Sequence, residues 1–284
     1  MILDGDTVSR VVFHPRSEPP TYVPQGVATM TPSDGAEIAG YLHVCSTSPT
    51  LVIFFHGNGE LAANYDQCAS IFLNCGVSYW VVDYRGYGRS TGTPSCTAMF
   101  KDADAILADI SRLGQAVNQS FQRVIVMGRS LGSASAIHLA AMGSPSVVGL
   151  VLDSAYADDL ALIARLGGPN IQKDALFVYE SSHEASSNSQ TSAVSSSSVR
   201  PRIDKRPYED NLDKMHRCQL PTLIIHGTDD TIIPLTDAIA LFEACPSDDK
   251  QIIPIKGAGH NDLLFVGFSQ YCNALRSYLN RFTH

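Results

Sequence analysis

The sequence lacks the residue patterns that most often hold a metal or a cofactor. It has no C-x-x-C pair, no H-E-x-x-H segment and no cluster of histidines, so no metal centre is predicted. A phosphate-binding loop and the G-x-G-x-x-G pattern of dinucleotide-binding proteins are also missing, so no cofactor is predicted. The seven cysteines are isolated and odd in number, which is more typical of reduced thiols in an intracellular protein than of a disulfide framework.

Positive charge and long apolar runs are also scarce. The 284 residues include 20 Lys and Arg against 28 Asp and Glu, a net charge of -8 that disfavours nucleic acids and anionic membranes as partners. The longest apolar runs, such as 51–55 and 147–152, are far shorter than a membrane span. The first six residues carry two acids where a signal peptide has basic residues. We therefore expect a soluble, cytoplasmic protein with no integral membrane segment, and its oligomeric state is left open.

Short β-rich apolar runs alternate with amphipathic helical patterns along the chain. This alternation predicts an α/β fold with a mostly parallel central sheet and helices on both faces, and the length suits a single domain over residues 1–284. The first two strands flank a turn at 32–35 and form an antiparallel hairpin. The predicted strands are 27–31, 38–44, 51–55, 77–82, 124–127, 147–152, 222–225 and 251–255.

Apolar spacing and glycine positions predict the helices. A helix beginning near Leu61 is expected to stop at Gly76 in a left-handed cap. Another is expected to be N-capped by Thr97 and closed by Gly114. A short helix follows at 236–244, and the last helix is predicted to bury one face. That face comprises Leu264, Phe268, Tyr271, Leu275 and Tyr278.

One long interval, 155–220, separates two predicted strands. It contains the segment 181–198, in which ten of eighteen residues are serine, so we expect that segment to be mobile because it buries too little apolar surface. The whole interval is placed where an insertion could form a partial lid over a site. The alternative is an ordinary surface helix with a tolerated low-complexity insertion.

The segment Gly128 to Gly132 (G-R-S-L-G) lies between an apolar strand and a run of small residues. Such a strand, sharp turn and helix expose a serine on strained backbone, and glycines two positions before and after it avoid collisions with the neighbouring elements. The pattern alone is weak. It nominates Ser130 as a nucleophile, which needs a histidine base and an acid to orient that base.

Two later loops supply these partners. Asp230 follows the strand 222–225, and His260 lies in a glycine loop after the last strand. The chain order serine, aspartate, histidine differs from the orders in the two other common serine-hydrolase folds. Asp229 and Asp153 are the alternative acids. His56 and His226 also lie at strand ends, but each precedes a glycine and is interpreted as structural.

These features make the chain similar to the α/β-hydrolases from about residue 29 to residue 282. The segment 54–59 (F-F-H-G-N-G) resembles the oxyanion-hole loop of that superfamily, and 83–90 resembles the loop after the following strand. Together they are most similar to the branch of serine-aminopeptidase-like and protein-depalmitoylating hydrolases. The chain lacks the N-terminal cysteine cluster that anchors the depalmitoylating members. Arg85 and Arg89 in the second loop are expected to brace it rather than contact substrate.

An oxyanion hole needs two backbone N–H groups aimed at the developing negative charge. Leu131, directly after the nucleophile at a helix start, is expected to supply one, and Asn58, between two glycines, the other.

The sequence therefore predicts a serine hydrolase that cleaves esters or thioesters of a small-molecule acyl substrate through Ser130, His260 and Asp230. Because a free imidazole titrates at about pH 6.5, activity is expected to rise through neutral pH. An aminopeptidase-like amide hydrolase is one alternative, with Asp158, Asp159 and Glu184 available for a substrate amine. A non-catalytic binding protein on a hydrolase scaffold is the other.

Overall fold

The fold is known from a computed structural model that describes residues 4–167 and 209–283. A single sheet of eight strands runs through this part of the chain, in the order β1-β2-β4-β3-β5-β6-β7-β8. The strand β2 is antiparallel to both of its neighbours, β1 and β4, and the other neighbouring pairs of this sheet are parallel, so the predicted α/β fold with a mostly parallel sheet is confirmed. The strands are β1 Val27–Ser33, β2 Ala36–His43, β3 Thr50–Phe55, β4 Ser78–Val82, β5 Arg123–Arg129, β6 Val147–Asp153, β7 Thr222–Gly227 and β8 Lys250–Ile255.

Helices cover both faces of the sheet, because the central strands are apolar on both sides. In β5, Val124 and Val126 belong to one core, whereas Ile125 and Met127 belong to the other. The helices are α1 Asp6–Val12, α2 Ala69–Leu73, α3 Cys96–Ala108, α4 Ile110–Ala116, α5 Ser133–Ala141, α6 Asp159–Gly167, α7 Asn211–Met215, α8 Leu235–Ala244, α9 Leu263–Val266 and α10 Phe268–Leu279. The first core contains residues of α1 and of α3 through α8, and the second contains residues of α2, α9 and α10.

Two predicted helix boundaries are wrong. The N-cap of α3 is Ser95, whose hydroxyl accepts from the Ala98 N–H, while Thr97 is already inside the helix. Gly114 does not end a helix but lies within α4, where a Cβ would be 2.7 Å from the carbonyl oxygen of Gln119. A glycine is needed at position 114 because the backbone of residue 119 passes close to it. The residue with left-handed backbone after the helix is Asn118.

The two helices predicted on the other face are only partly as expected. Gly76 has φ +73° and ends the first one in the predicted left-handed conformation, but its first two turns, Ala62–Cys68, are a 3₁₀ helix. Phe268 was expected in the buried face of the last helix and is 58% exposed. The helix is interrupted at Gly267, so α10 buries Tyr271, Leu275 and Tyr278 but turns Phe268 outward.

Residues 168–208 lie outside the described ranges, and with them the serine-rich segment 181–198 and most of the expected lid. All seven cysteines are described, and all are free thiols, as predicted. In the described ranges, no helix has the length and apolar character needed to cross a membrane.

Candidate active site

The loop after β5 forms a tight elbow that carries Ser130. This residue has φ +50°, a strained conformation for a non-glycine residue. A Cβ on Gly128 would lie 2.3 Å from the carbonyl oxygen of Gly132, and a Cβ on Gly132 would lie 2.0 Å from that of Phe55. Only glycine fits these two positions. The strand and the helix α5 can therefore approach closely enough to hold the serine hydroxyl at the carboxyl edge of the sheet.

Three side chains from distant loops meet at this edge. His260 Nε2 lies 2.9 Å from Ser130 Oγ, and His260 Nδ1 lies 2.7 Å from Asp230 Oδ2. An ionised carboxylate only accepts hydrogen bonds, so Nδ1 carries the proton and donates to Asp230. Nε2 is then the acceptor for the serine hydroxyl. This tautomer is the one a general base needs.

The Asp230 carboxylate is buried and well supplied with donors. Its Oδ1 accepts from the N–H groups of Ile232 at 2.9 Å and Ile233 at 2.8 Å. Burial raises the pKa of Asp230, but the hydrogen bonds from His260 and from the Ile233 N–H outweigh it, so the pKa is lowered from its ordinary value. The acid is held ionised and oriented toward the imidazole.

The alternative acids are engaged elsewhere. Asp229 is exposed and accepts from the Thr228 hydroxyl at 2.7 Å. Asp153, at the end of β6, accepts from the Tyr271 hydroxyl at 2.8 Å. Neither forms a hydrogen bond or ion pair with the imidazole of His260. Of the three acids, Asp230 alone contacts that ring.

The two histidines interpreted as structural are completely buried. His56 has its Nε2 3.1 Å from Asp83 Oδ1 and its Nδ1 2.8 Å from the Gly57 carbonyl oxygen. His226 is the penultimate residue of β7 and has its Nε2 2.8 Å from the Ile233 carbonyl oxygen. His56 thus joins the chain after β3 to the chain after β4, and His226 ties the end of β7 to the loop beyond it. His226 also lies 3.5 Å from Asp230 Oδ2, so it packs directly behind the acid.

The arginines of the loop 83–90 form ion pairs away from the serine. The guanidinium of Arg85 binds Asp102 through Nε and Nη2, and Arg89 pairs with Glu18. Neither lines the cleft beside Ser130. Both brace their loop.

The loop after β3 faces the serine across the cleft. The side chain of Asn58 is fixed by three hydrogen bonds, since its Oδ1 accepts from the His14 N–H and the Tyr87 hydroxyl, and its Nδ2 donates to His14 Nδ1. Residue 14 follows α1, a helix for which the sequence offered no prediction. Asn58 and Leu131, the two residues expected to supply oxyanion-hole N–H groups, line the same cleft as Ser130.

The cleft has a volume of about 200 Å³ and a mixed lining. Ser130, His260 and their polar neighbours form one side of the cleft. Apolar side chains from α1, the elbow, α6 and the loop after β7 form the other side. Those apolar residues are Val12, Leu131, Leu162, Leu166 and Ile232. The arrangement can therefore hold an apolar group beside a serine that has an adjacent base.

Of the polar residues that line this cleft, sequence reasoning missed His14, Glu60, Arg129 and Asn261. The Arg129 side chain is 11% exposed and forms an ion pair with Glu60. Its position inside the G-R-S-L-G segment was visible, but nothing local in the sequence says which distant groups it contacts.

Comparisons with known proteins agree with this architecture. The family model described as serine aminopeptidase, S33, matches residues 47–212 and 205–264. Alpha/beta hydrolase domain-containing protein 17B of Homo sapiens is 29% identical over 255 residues, which are 88% of this chain and 73% of that protein. The corresponding Xenopus laevis protein is 28% identical over 84% of this chain and 69% of its own length.

Solved structures resemble the fold. A Pyrococcus furiosus esterase has a TM-score of 0.69 at 17% identity, over 94% of this chain and 98% of the other. A soluble variant of monoglyceride lipase from Saccharomyces cerevisiae has a TM-score of 0.62, also at 17% identity, over 94% of this chain and 100% of the other. The predicted resemblance to the α/β-hydrolase superfamily is confirmed.

Proposed function

Because the chain belongs to the serine aminopeptidase S33 family of α/β-hydrolases, and is thus a hydrolase, we propose that it cleaves carboxylic esters or thioesters through an acyl-enzyme on Ser130. The observation that carries the proposal is the pair of contacts made by His260, 2.9 Å to Ser130 Oγ and 2.7 Å to Asp230 Oδ2. The role of each residue follows from these distances and from the chemistry of acyl transfer.

In the acylation step, His260 Nε2 removes the hydroxyl proton as Ser130 Oγ bonds to the acyl carbon. The carbonyl electron pair moves to oxygen, and the N–H groups of Asn58 and Leu131 stabilise that oxyanion. As the carbonyl reforms, the bond from the acyl carbon to the alcohol oxygen or thiol sulfur breaks. The imidazolium gives its proton to this leaving group, while Asp230 stabilises the imidazolium until then.

Deacylation repeats the sequence with water. His260 removes a proton from a water molecule, whose oxygen attacks the acyl carbon of the acyl-enzyme. The second tetrahedral intermediate collapses by breaking the bond to Ser130 Oγ, and the imidazolium returns its proton to that oxygen. The products are a carboxylic acid and an alcohol or thiol.

The lining of the cleft favours an apolar acyl group over a peptide with a free amine. Among the described residues that line the cleft, Glu60 is the one acidic side chain, and Arg129 pairs with it. Of the three acids expected to bind an amine, the two that the structure describes do not line the cleft. Asp158 caps α6 by accepting from the Ala161 N–H, Asp159 does not line the cleft, and Glu184 lies outside the described residues.

The experiment compares the purified protein with a Ser130→Ala variant on p-nitrophenyl esters and matched thioesters from acetyl to palmitoyl, and on aminoacyl p-nitroanilides. We expect ester or thioester turnover that Ser130→Ala lowers by a factor of about 10⁴ to 10⁶. A variant with full turnover would reject the proposal. Turnover of the anilides alone would favour the peptidase.

A fluorophosphonate probe gives an independent test, because it reacts with an activated serine whatever the substrate. The wild type is expected to be labelled and Ser130→Ala is not. An unlabelled wild type that turns over no substrate would indicate a binding protein on a hydrolase scaffold.

A further inference from the structure

The residue directly before the nucleophile contacts both loops that flank it. Arg129 Nη2 donates to the carbonyl oxygen of His260 at 2.7 Å and to Asn261 Oδ1 at 3.2 Å. Its other terminal nitrogen, Nη1, donates to Glu60 Oε1. One side chain therefore joins the histidine loop after β8 to the loop after β3.

Glu60 carries the connection onward to the predicted oxyanion hole. Its Oε2 accepts from the Gly57 N–H and from the Tyr65 hydroxyl, each at 2.6 Å. Gly57 directly precedes Asn58. A Cβ on Gly57 would lie 2.7 Å from Arg129 Nη1 and 2.8 Å from Glu60 Oε2. The backbone of this loop thus packs against the ion pair between Arg129 and Glu60. A shift of the ion pair would therefore shift the loop.

Resting on the function proposed above, we infer that Arg129 is a positioning residue, which holds the imidazole of His260 and the N–H of Asn58 in place around Ser130. Its guanidinium hydrogen-bonds to the His260 carbonyl oxygen, Asn261 and Glu60, and not to the imidazole ring or to the Ser130 hydroxyl. Its effect on the reaction comes through the His260 carbonyl on one side and through Glu60 and Gly57 on the other. Displacements of about 1 Å at reacting groups cost about 10²-fold in rate, so a clamp of this kind affects kcat strongly.

The site requires an arginine and not simply a positive charge. A guanidinium is planar and directs several N–H groups along fixed, diverging lines, so it binds a carboxylate and a carbonyl oxygen together. A lysine ammonium is a compact charge whose donors diverge from a single nitrogen, so it does not reproduce contacts that Arg129 makes from two separate nitrogens, Nη1 and Nη2. Asp153 Oδ1, 3.9 Å from Nε, provides a second negative charge behind the guanidinium. Burial lowers the pKa of Arg129, but the electrostatic effects of Tyr65, Asp153 and Glu60 raise it by more. The pKa is therefore higher than that of a free arginine, and the side chain stays a cation.

The test is Arg129→Lys, compared with Arg85→Lys. Both arginines are nearly buried, at 11% and 12% side-chain exposure, and both pair with carboxylates, but Arg85 lies outside the cleft. We expect Arg129→Lys to lower kcat for the best ester by about 10- to 100-fold with KM changed less than about threefold, and to slow fluorophosphonate labelling in proportion. Arg85→Lys is expected to match the wild type in kcat. Similar melting temperatures for the two variants would separate positioning from loss of fold.

A second variant covers the case in which Arg129→Lys does not fold. In Glu60→Gln, the amide oxygen still accepts from the Gly57 N–H, but the amide nitrogen faces Arg129 and breaks the link. The same selective loss of kcat is expected. If either folded variant keeps kcat within twofold of a wild type that depends on Ser130, the inference about Arg129 fails and the proposed function stands. A wild type whose turnover equals that of Ser130→Ala would refute both.

Discussion

Asp230 and His260 are 30 residues apart in the chain, yet Asp230 Oδ2 lies 2.7 Å from His260 Nδ1. The contact forms because β7 and β8 are parallel neighbours, so the loops that follow them leave the sheet side by side. Each loop contributes one group to the site. The acid and the base are therefore placed by the sheet and not by a local motif.

The first prediction concerns this pair. Asp230→Asn replaces a carboxylate acceptor by an amide that favours the wrong imidazole tautomer, so kcat is expected to fall by about 10⁴-fold while KM changes little. The measurement is steady-state kinetics on the best ester. Asp229→Asn, one residue earlier and exposed, is the matched control and is expected to retain wild-type kcat. Equal losses in the two variants would contradict the assignment of the acid.

A second prediction concerns the elbow. Gly132→Ala places a Cβ 2.0 Å from the Phe55 carbonyl oxygen, and a backbone atom cannot move aside cheaply. We expect a loss of about 3 kcal/mol or more in the free energy of unfolding, measured in urea. Gly143→Ala is the control, because its φ is +70° but no atom lies within 4 Å of the new Cβ. It is expected to cost about 1 kcal/mol, and an equal cost in both would show that contact is not the reason for Gly132.

The preference for acyl chain length is expected to depend on the apolar side of the cleft. Leu166 lines the cleft and is 42% exposed, so Leu166→Asp removes apolar contact with a long acyl chain. We expect KM for an octanoyl ester to rise about 5- to 30-fold, with little change for the acetyl ester. Val266→Asp, at 45% exposure and outside the cleft, serves as the control and is expected to change neither value. If Leu166→Asp raised KM equally for the octanoyl and the acetyl ester, the apolar side of the cleft would not be where the acyl chain binds.

A pH dependence of stability is expected at the start of α6. Burial raises the pKa of Asp159 to about 7, although the nearby Lys214 and a hydrogen bond with Tyr156 favour the ionised form. An unfolded aspartate titrates at about 3.9. Between these values the native state holds a proton that the unfolded chain has released, so this group contributes stability below about pH 4 that is lost as the pH rises through 7.

The variant Asp159→Asn removes that loss. Its melting temperature, relative to the wild type, is expected to increase between pH 4 and about pH 7 and to level off towards pH 8. The measurement is thermal unfolding of both proteins in matched buffers across that range. A difference that does not depend on pH would contradict the raised pKa.

The fold could be predicted because its signals are local. Each buried strand is an unbroken apolar run, and the serine elbow is a contiguous segment with a glycine on each side. The cap of α3 could not be predicted as well, since Ser95 and Thr97 are equally suitable residue types and only the course of the backbone selects Ser95. Gly114 was misassigned for a related reason, because its close neighbour, Gln119, depends on how the chain turns after α4.

The predicted site residues also differ in how far sequence could place them. Ser130, Asp230 and His260 follow strands of one parallel sheet, and the carboxyl ends of such strands share an edge, so their meeting is a consequence of topology. No comparable rule of topology predicts which residues Arg129 contacts. Its partners come from the loops after β3 and β8, and a guanidinium beside a nucleophile has many possible partners until those loops are placed.

The residues that line the cleft come from two kinds of structural element, strand ends and helices. Ser130 and His260 follow strands whose register is fixed by pairing within the sheet, whereas Val12 and Leu162 belong to helices packed on one face of the sheet. Such helices tolerate exchanges of one apolar residue for another far better than strand ends tolerate displacement. Under the proposed function, the breadth of acyl groups can thus be re-engineered, or drift over generations, while the groups that break the bond stay in place.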